Sequence, residues 1–178
     1  TLCRINSEKK PYVEGKPYGE GAFEALQAAL AMAEGYGFTI NNYDNYVGTA
    51  DLNDKERHLD ILAHLDVVPA GEGWVETAPF EPVVKDGMLY GRGTADDKGP
   101  AVAALYAMRA VKELGVPLKK NARLILGTDE ECGSSDIAHY YAIEKEAPMT
   151  FSPDGSYPVV NTEKGSLNGH FTASFAPS

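Results

Sequence analysis

Residues 123–131 read RLILGTDEE, an apolar run that is followed directly by three acidic residues. A continuous apolar strand is typical of sheets that are covered on both faces. We therefore predict a buried strand over residues 123–128. Because this strand ends at an acidic pair, Glu130 and Glu131, the stretch also predicts that carboxylates lie in a loop at the edge of the sheet.

Helices and strands alternate around this central strand. Apolar residues at helical spacing predict helices over residues 20–34, from Pro100 to Gly115, and from Ser134 or Ser135 to about Glu146. Strands are predicted over residues 46–52, 58–62, 83–85, 88–90, 150–152, 159–161 and 165–175, with Asp86-Gly87 as a hairpin turn. The alternation predicts an α/β fold, with a mainly parallel or mixed sheet flanked by helices, in one domain over residues 1–178.

Composition argues against several classes of partner. The formal net charge of −10 repels nucleic acid phosphates and anionic lipids, so neither nucleic acid nor membrane is expected as a partner. Two cysteines, Cys3 and Cys132, are too few for a disulfide framework. The sequence contains neither a membrane-length apolar run nor a signal-peptide core, and we predict a cytoplasmic protein with reduced thiols.

Four separate segments place polar side chains where an apolar strand or a glycine turn ends. They read HLDILAHLDVVPAGEGW (58–74), LYGRGTADDKGP (89–100), LILGTDEECGS (124–134) and TFSPDGSYPV (150–159). In α/β sheets, ligands bind in loops at the carboxyl ends of strands, so these four segments are expected to converge. Carboxylates that converge without a counter-ion repel each other and would protonate, and the cluster therefore predicts bound cations.

The residue types favour zinc, with manganese or cobalt as alternatives, because imidazole and carboxylate together suit these metals. Each residue alone has an ordinary interpretation as a structural histidine, a turn residue or an acid at a helix start. Their joint occurrence is what indicates a metal site. A phosphate-binding loop at residues 90–99 is excluded, since Asp96 occupies the position of the third glycine in the dinucleotide fingerprint.

The order and spacing of these segments resemble the co-catalytic metallopeptidases, a family that includes glutamate carboxypeptidase, acetylornithine deacetylase and succinyl-diaminopimelate desuccinylase. Residues 64–74, 91–100 and 152–158 are similar to the signatures of its bacterial Xaa-His, or broad-specificity, dipeptidases. The resemblance covers the chain from about Phe23 to Phe175. It implies a zinc-peptidase-like catalytic domain of which this chain is the N-terminal part.

The resemblance also implies a role for each motif residue. His64 and Asp154 would bind the first of two Zn²⁺ ions, Glu131 would bind the second, and Asp96, followed by a cis peptide bond, would bridge them. Asp66 would orient His64, and Glu130 would be the general base.

The implied activity is hydrolysis of dipeptides of the Xaa-His or carnosine-like type, or of broader specificity, by a water that two metals activate. In this family, Asp at position 154 tends to accompany dipeptidase or aminopeptidase activity. An N-acyl amino acid deacylase or carboxypeptidase, and a catalytically incomplete metal-binding fragment, remain alternatives.

The family pattern further contains a lid domain inserted near Gly165 and a distal histidine that binds the second metal. We expect both to lie outside this chain, so that the missing C-terminal half or another chain would complete the site. His58, His139 and His170 are expected to be structural or exposed rather than ligands.

Overall fold

The computed structural model describes residues 1–156, 159–162, 164–165, 167 and 169–175. The helices are α1 (Glu20–Gly35), α2 (Lys98–Glu113) and α3 (Ser135–Ile143), and single 3-10 turns cover Leu2–Arg4 and Glu130–Cys132. The strands are β1 (Thr39–Tyr43), β2 (Val47–Asp51), β3 (Arg57–His64), β4 (Val83–Lys85), β5 (Met88–Tyr90), β6 (Asn121–Gly127) and β7 (Met149–Phe151). Within the described part of the chain, no helix has the length and apolar character needed to cross a membrane.

Five strands form one mixed sheet in the order β1-β2-β6-β3-β7. The pairs β1/β2 and β2/β6 are antiparallel, whereas β6/β3 and β3/β7 are parallel. Helices α1 and α2 pack on one face of the sheet, against Leu124 and Leu126, and α3 packs on the other, against Ile125. The predicted α/β fold with a mixed sheet is confirmed, and β6 is its buried centre.

The short hairpin predicted at Asp86-Gly87 is present, with β4 and β5 as its strands. The strands predicted on either side of the turn near Asn53 are also present, as β2 and β3. They do not pair with each other, because β6 lies between them. The pattern of apolar residues predicted each strand separately but did not indicate that β6 lies between β2 and β3 in the sheet.

Several predicted boundaries were wrong. Helix α2 begins at Lys98, which places Pro100 third in the helix, a position that tolerates proline because the first-turn N–H groups lack intrahelical acceptors. Helix α3 ends at Ile143, and the Ser134 side chain makes no capping hydrogen bond. Strand β1 was not predicted, since its sequence TINNY is polar.

The strands predicted over residues 159–161 and 165–175 are absent among the residues that the structure describes there. Residues 166 and 168 of the second predicted strand, and residues 157, 158 and 163 beside the first, lie outside the described residues. The alternating apolar side chains of Leu167, Phe171 and Phe175 are almost fully exposed. Alternation alone does not form a strand, because a strand also needs a paired edge and a surface to cover.

A buried ion pair joins the two antiparallel partners β2 and β6 at their ends. Asp51 and Arg123 are direct register partners, and the guanidinium donates two hydrogen bonds of 2.9 Å to the two carboxylate oxygens. Asn121 donates a further hydrogen bond of 2.6 Å to the same carboxylate. Arg123 also donates to the Tyr140 hydroxyl of α3, at 3.0 Å, so this residue connects the sheet to a helix.

We predict that Arg123→Met lowers the free energy of unfolding by about 3 kcal/mol, because removing one partner leaves the Asp51 carboxylate buried without its counter-ion. The matched control is Arg109→Met, which breaks the exposed helical pair with Glu113 and should lower the free energy of unfolding far less, because exposed ion pairs contribute little. Urea denaturation of both variants measures the difference. Equal losses would show that the buried pair has no special weight in this fold.

Candidate metal centre

Three parallel strands end at the same edge of the sheet. His64, the last residue of β3, is the register partner of Gly127, the last residue of β6, and the Leu65 N–H continues the ladder to the Gly127 carbonyl at 2.9 Å. Strand β7 ends beside them at Phe151. The loops that follow carry all the acidic residues predicted for the site except Asp96, which precedes α2.

The imidazole of His64 lies at the centre of these loops and is only 3% exposed. Its Nε2 atom is 3.0 Å from Oδ1 of Asp96, 3.2 Å from Oδ2 of Asp154 and 3.9 Å from Oε2 of Glu130. Glu131 also approaches, since one oxygen of its carboxylate lies within 4.8 Å of donor atoms on His64 and Asp96. Four chain segments that are far apart in sequence thus bring their side chains to one place.

Asp66 lies behind the imidazole and is fully buried. Nδ1 of His64 is 3.1 Å from the backbone oxygen of Asp66 and 3.3 Å from Oδ1 of Asp66. Its two carboxylate oxygens accept the backbone N–H groups of Glu130, at 3.2 Å, and of Glu131, at 3.1 Å. One side chain therefore fixes the orientation of the imidazole and the position of the acidic pair.

All six residues predicted for the site, listed here as His64, Asp66, Asp96, Glu130, Glu131 and Asp154, lie together. Two overlapping groups have the ligand spacing for a metal ion: His64 with Glu130 and Asp154, and His64 with Asp96 and Glu131. The predicted cis peptide bond between Asp96 and Asp97 is present. The separate roles given to all six residues stay predictions.

The electrostatics of the cluster favour a bound cation. Burial, and then the neighbouring carboxylates, raise the pKa of Glu130 above its usual range, and the same two effects raise the pKa of Glu131. Burial alone would lower the pKa of His64, but the contact with Asp66 and the surrounding negative charges outweigh it and raise that pKa to about 10. A divalent ion relieves this repulsion directly, so the donor set fits a metal.

Asp97 is a buried neighbour of the site for which no role was predicted from the sequence. It is fully buried, its Oδ2 accepts the backbone N–H of His64 at 3.0 Å, and burial raises its pKa to about 7. The acidic doublet of residues 96–97 was visible in the sequence, but only the fold shows that its second member faces the backbone of β3.

Asp136 of α3 accepts hydrogen bonds from the backbone that leads into the turn carrying Glu130 and Glu131. Its Oδ2 atom accepts the N–H groups of Thr128 and Asp129. A Cβ atom at position 127 would lie 2.6 Å from this oxygen, so only glycine lets the carboxylate approach the strand end. The sequence contained this constraint as a glycine at the end of β6, without indicating its cause.

Comparison with known proteins places this geometry in a family. Residues 61–175 match the sequence model of Peptidase family M20/M25/M40, which is more than half of the chain. The chain belongs to this family. The segments that carry the candidate metal centre all lie within the matched range, and the M20 peptidase family implies divalent metal ions at such a site.

Relatives of this M20 chain include two curated bacterial proteins and one solved structure. The chain is 38% identical to a putative dipeptidase, YtjP, of Bacillus subtilis, over 99% of its own length and 38% of the relative's. It is 40% identical to the Beta-Ala-Xaa dipeptidase of Lactobacillus delbrueckii subsp. lactis, over 89% of its own length and 34% of the relative's. The crystal structure of human carnosine dipeptidase 1 superposes with a TM-score of 0.74 at 26% identity and covers 88% of this chain and 37% of that one. The chain thus spans little more than a third of the length of these relatives.

We predict that Asp66→Asn weakens Zn²⁺ binding at least tenfold, because an amide cannot accept both backbone N–H groups and hold the imidazole as well. The control is Asp60→Asn, an equally buried aspartate within β3 whose carboxylate accepts the Ala147 N–H instead. Competition with a chromophoric chelator measures both affinities. A similar loss in the two variants would mean that Asp66 acts only through the general stability of the fold.

Proposed function

We propose that this chain is the N-terminal part of the catalytic domain of a metal-dependent dipeptidase that holds two divalent ions, with zinc as the first choice and manganese or cobalt as alternatives. The observation that carries the proposal is the buried imidazole of His64, whose Nε2 atom faces the carboxylates of Asp96 and Asp154 within 3.2 Å. Membership of the M20 peptidase family supports the same activity, as do the relatives, which are named as dipeptidases.

In the proposed arrangement, His64 and Asp154 would hold the first ion, Glu131 would hold the second, and Asp96 would be a ligand to both. The second ion needs a further donor. His139 is a poor one, because its ring stacks on Tyr46 and its Nε2 contacts Asp44. We therefore propose that the rest of the protein, or another chain, supplies that donor.

Divalent ions bound here would supply Lewis acidity, which polarises a peptide carbonyl and lowers the pKa of water. Glu130 then acts as the general base: its carboxylate accepts a proton as the water oxygen attacks the carbonyl carbon, and the same proton passes to the departing amine as the C–N bond breaks. The raised pKa of Glu130 suits this task, because a base is most effective when its pKa approaches the working pH. Asp66 holds the backbone of Glu130 in place throughout.

The substrate is proposed to be an unblocked dipeptide, as in Xaa-His or β-alanyl peptides. A cytoplasmic location and the absence of nucleic acid and membrane partners stay predictions from the sequence. The competing activities are deacylation of N-acyl amino acids and carboxypeptidase activity, and the chain by itself could be a catalytically incomplete metal-binding fragment.

We predict that the protein at its full encoded length hydrolyses β-alanyl-histidine and unblocked dipeptides, and that chelation with EDTA abolishes the activity until Zn²⁺ or Mn²⁺ is restored. N-acetyl amino acids and longer peptides, assayed in parallel, should be poorer substrates in kcat/KM. Faster turnover of N-acetyl amino acids would replace the dipeptidase proposal with a deacylase, and chelator-resistant hydrolysis would refute the role of the metal.

A second prediction separates the base from the ligands. Glu130→Gln should lower kcat by about a hundredfold to ten-thousandfold, the usual range for a lost general base, while the metal content stays at the wild-type value. The adjacent control, Glu131→Gln, should lose bound metal as well as activity. If Glu130→Gln loses metal instead, Glu130 is a ligand, which the group formed with His64 and Asp154 would allow.

A further inference from the structure

A short segment near the N-terminus contacts three of the loops that carry the candidate site. We call residues 5–9 (INSEK) the N-terminal strap; it follows the 3-10 turn Leu2–Arg4 and precedes α1. None of its side chains belongs to the groups with metal-ligand spacing. The strap can therefore affect the site only through its contacts with the segments that carry the candidate ligands.

The strap runs beside the loop that follows β3. Ser7 is fully buried, and its hydroxyl donates a 2.6 Å hydrogen bond to the carbonyl of Leu65, the residue between His64 and Asp66. Glu8 forms a parallel β-bridge with Val67, and its carboxylate accepts the N–H of Ala70 at 2.9 Å. The backbone that carries His64 and Asp66 is thus held along one side.

A second contact reaches the segment that carries Asp96. The carbonyl of Ile5 accepts a 2.8 Å hydrogen bond from Nζ of Lys98, which lies in the first turn of α2 and is fully buried. A buried ammonium group needs such an acceptor, because its desolvation is otherwise uncompensated. Lys98 is two residues from Asp96, so the bond also restrains the start of that helix.

A third contact reaches the turn that carries Glu130 and Glu131. Nζ of Lys9 is 2.6 Å from Oδ1 of the buried Asp129, whose other oxygen accepts hydrogen bonds from the hydroxyl and the N–H of Ser135. This ion pair supplies the opposite charge that a buried carboxylate needs. Asp129 directly precedes Glu130, so the lysine fixes the start of the turn.

The strap is itself pressed against the rigid part of the fold. The carbonyl of Asn6 lies so close to α1 that a Cβ atom at Gly21 would be 1.7 Å from its oxygen. Any larger residue at position 21 would push the strap away from the helix. The strap therefore lies between α1 and the site loops and contacts both. Through these contacts it can restrain the positions of the loops relative to α1.

We propose that the N-terminal strap positions the metal ligands, with Ser7 and Lys9 as its positioning residues: Ser7 through the backbone between His64 and Asp66, and Lys9 through Asp129. The inference rests on the proposed function, since it assumes that these residues hold metal. It differs from a purely structural role because it requires the strap to affect metal affinity in a protein that remains folded.

The experiment compares Ser7→Ala, Lys9→Met and Lys9→Arg with Lys120→Met in the protein at its full encoded length. Lys120→Met is the matched control, because Lys120 also pairs with an acid, Glu56, but at the opposite end of the sheet. Three quantities are measured for each variant: the Zn²⁺ dissociation constant by chelator competition, the melting temperature of the metal-free protein, and kcat and KM for β-alanyl-histidine.

We expect Ser7→Ala and Lys9→Met to weaken Zn²⁺ binding about tenfold, the lower end of the loss seen when outer partners of metal ligands are removed, and to lower kcat more than they raise KM. Lys9→Arg, which keeps the charge, should stay within about threefold of wild type, as should Lys120→Met.

The inference is overturned if Ser7→Ala and Lys9→Met lower the metal-free melting temperature but bind Zn²⁺ as tightly as wild type, because the strap would then serve the fold alone. Equal weakening in Lys120→Met would overturn it as well, since the effect would not depend on the strap. If wild type binds no divalent ion under any condition, the proposed function fails and this inference fails with it. If wild type binds Zn²⁺ and the strap variants bind it as tightly, only this inference fails.

Discussion

The carboxylate of Asp66 connects the two loops that follow the neighbouring strands β3 and β6. It accepts the N–H groups of Glu130 and Glu131 after β6 and contacts the imidazole at the end of β3. Irregular backbone beyond a strand has no sheet partner, and its buried N–H groups need acceptors. In this protein buried carboxylates are such acceptors: Asp66 and Asp136 accept N–H groups from the loop after β6, and Asp97 accepts the N–H of His64 at the end of β3.

This choice of acceptor has an electrostatic consequence. Each buried carboxylate that accepts these N–H groups adds negative charge near the site. The site already contains four acidic side chains, those of Asp96, Glu130, Glu131 and Asp154. The cluster therefore concentrates negative charge that a bound cation would offset. Affinity for metal and stability of the loops are expected to be linked for this reason.

The sequence was most informative where one local rule determined the structure. The apolar run of residues 123–128 predicted the central strand β6, and the spacing of polar residues after strands predicted that His64, Asp96 and Asp154 would meet. It failed where pairing decided the outcome. Strand β1 is polar and forms because β2 offers an edge, whereas the apolar alternation around Phe171 finds no partner among the described residues.

The contacts of the strap were invisible for a related reason. Lys9 and Asp129, or Ser7 and Leu65, are far apart in the chain, and a polar segment with two nearby prolines has no periodicity from which a position could be inferred. Gly21 lies against the carbonyl of Asn6, and Gly127 lies against the carboxylate of Asp136. A glycine in the sequence indicates only that space at that position is short, not which atom occupies it.

The single imidazole of the cluster limits what these residues can hold. Nδ1 of His64 faces Asp66, which leaves Nε2 as its free donor atom, yet both groups with metal-ligand spacing include His64. One nitrogen lone pair can serve one ion. In the proposed two-metal arrangement, the second ion would therefore depend on Asp96 and Glu131, two carboxylates from different loops, together with a donor from outside the described residues. The two ions should differ in affinity for this reason, and the weaker one would report whether the rest of the protein is in place.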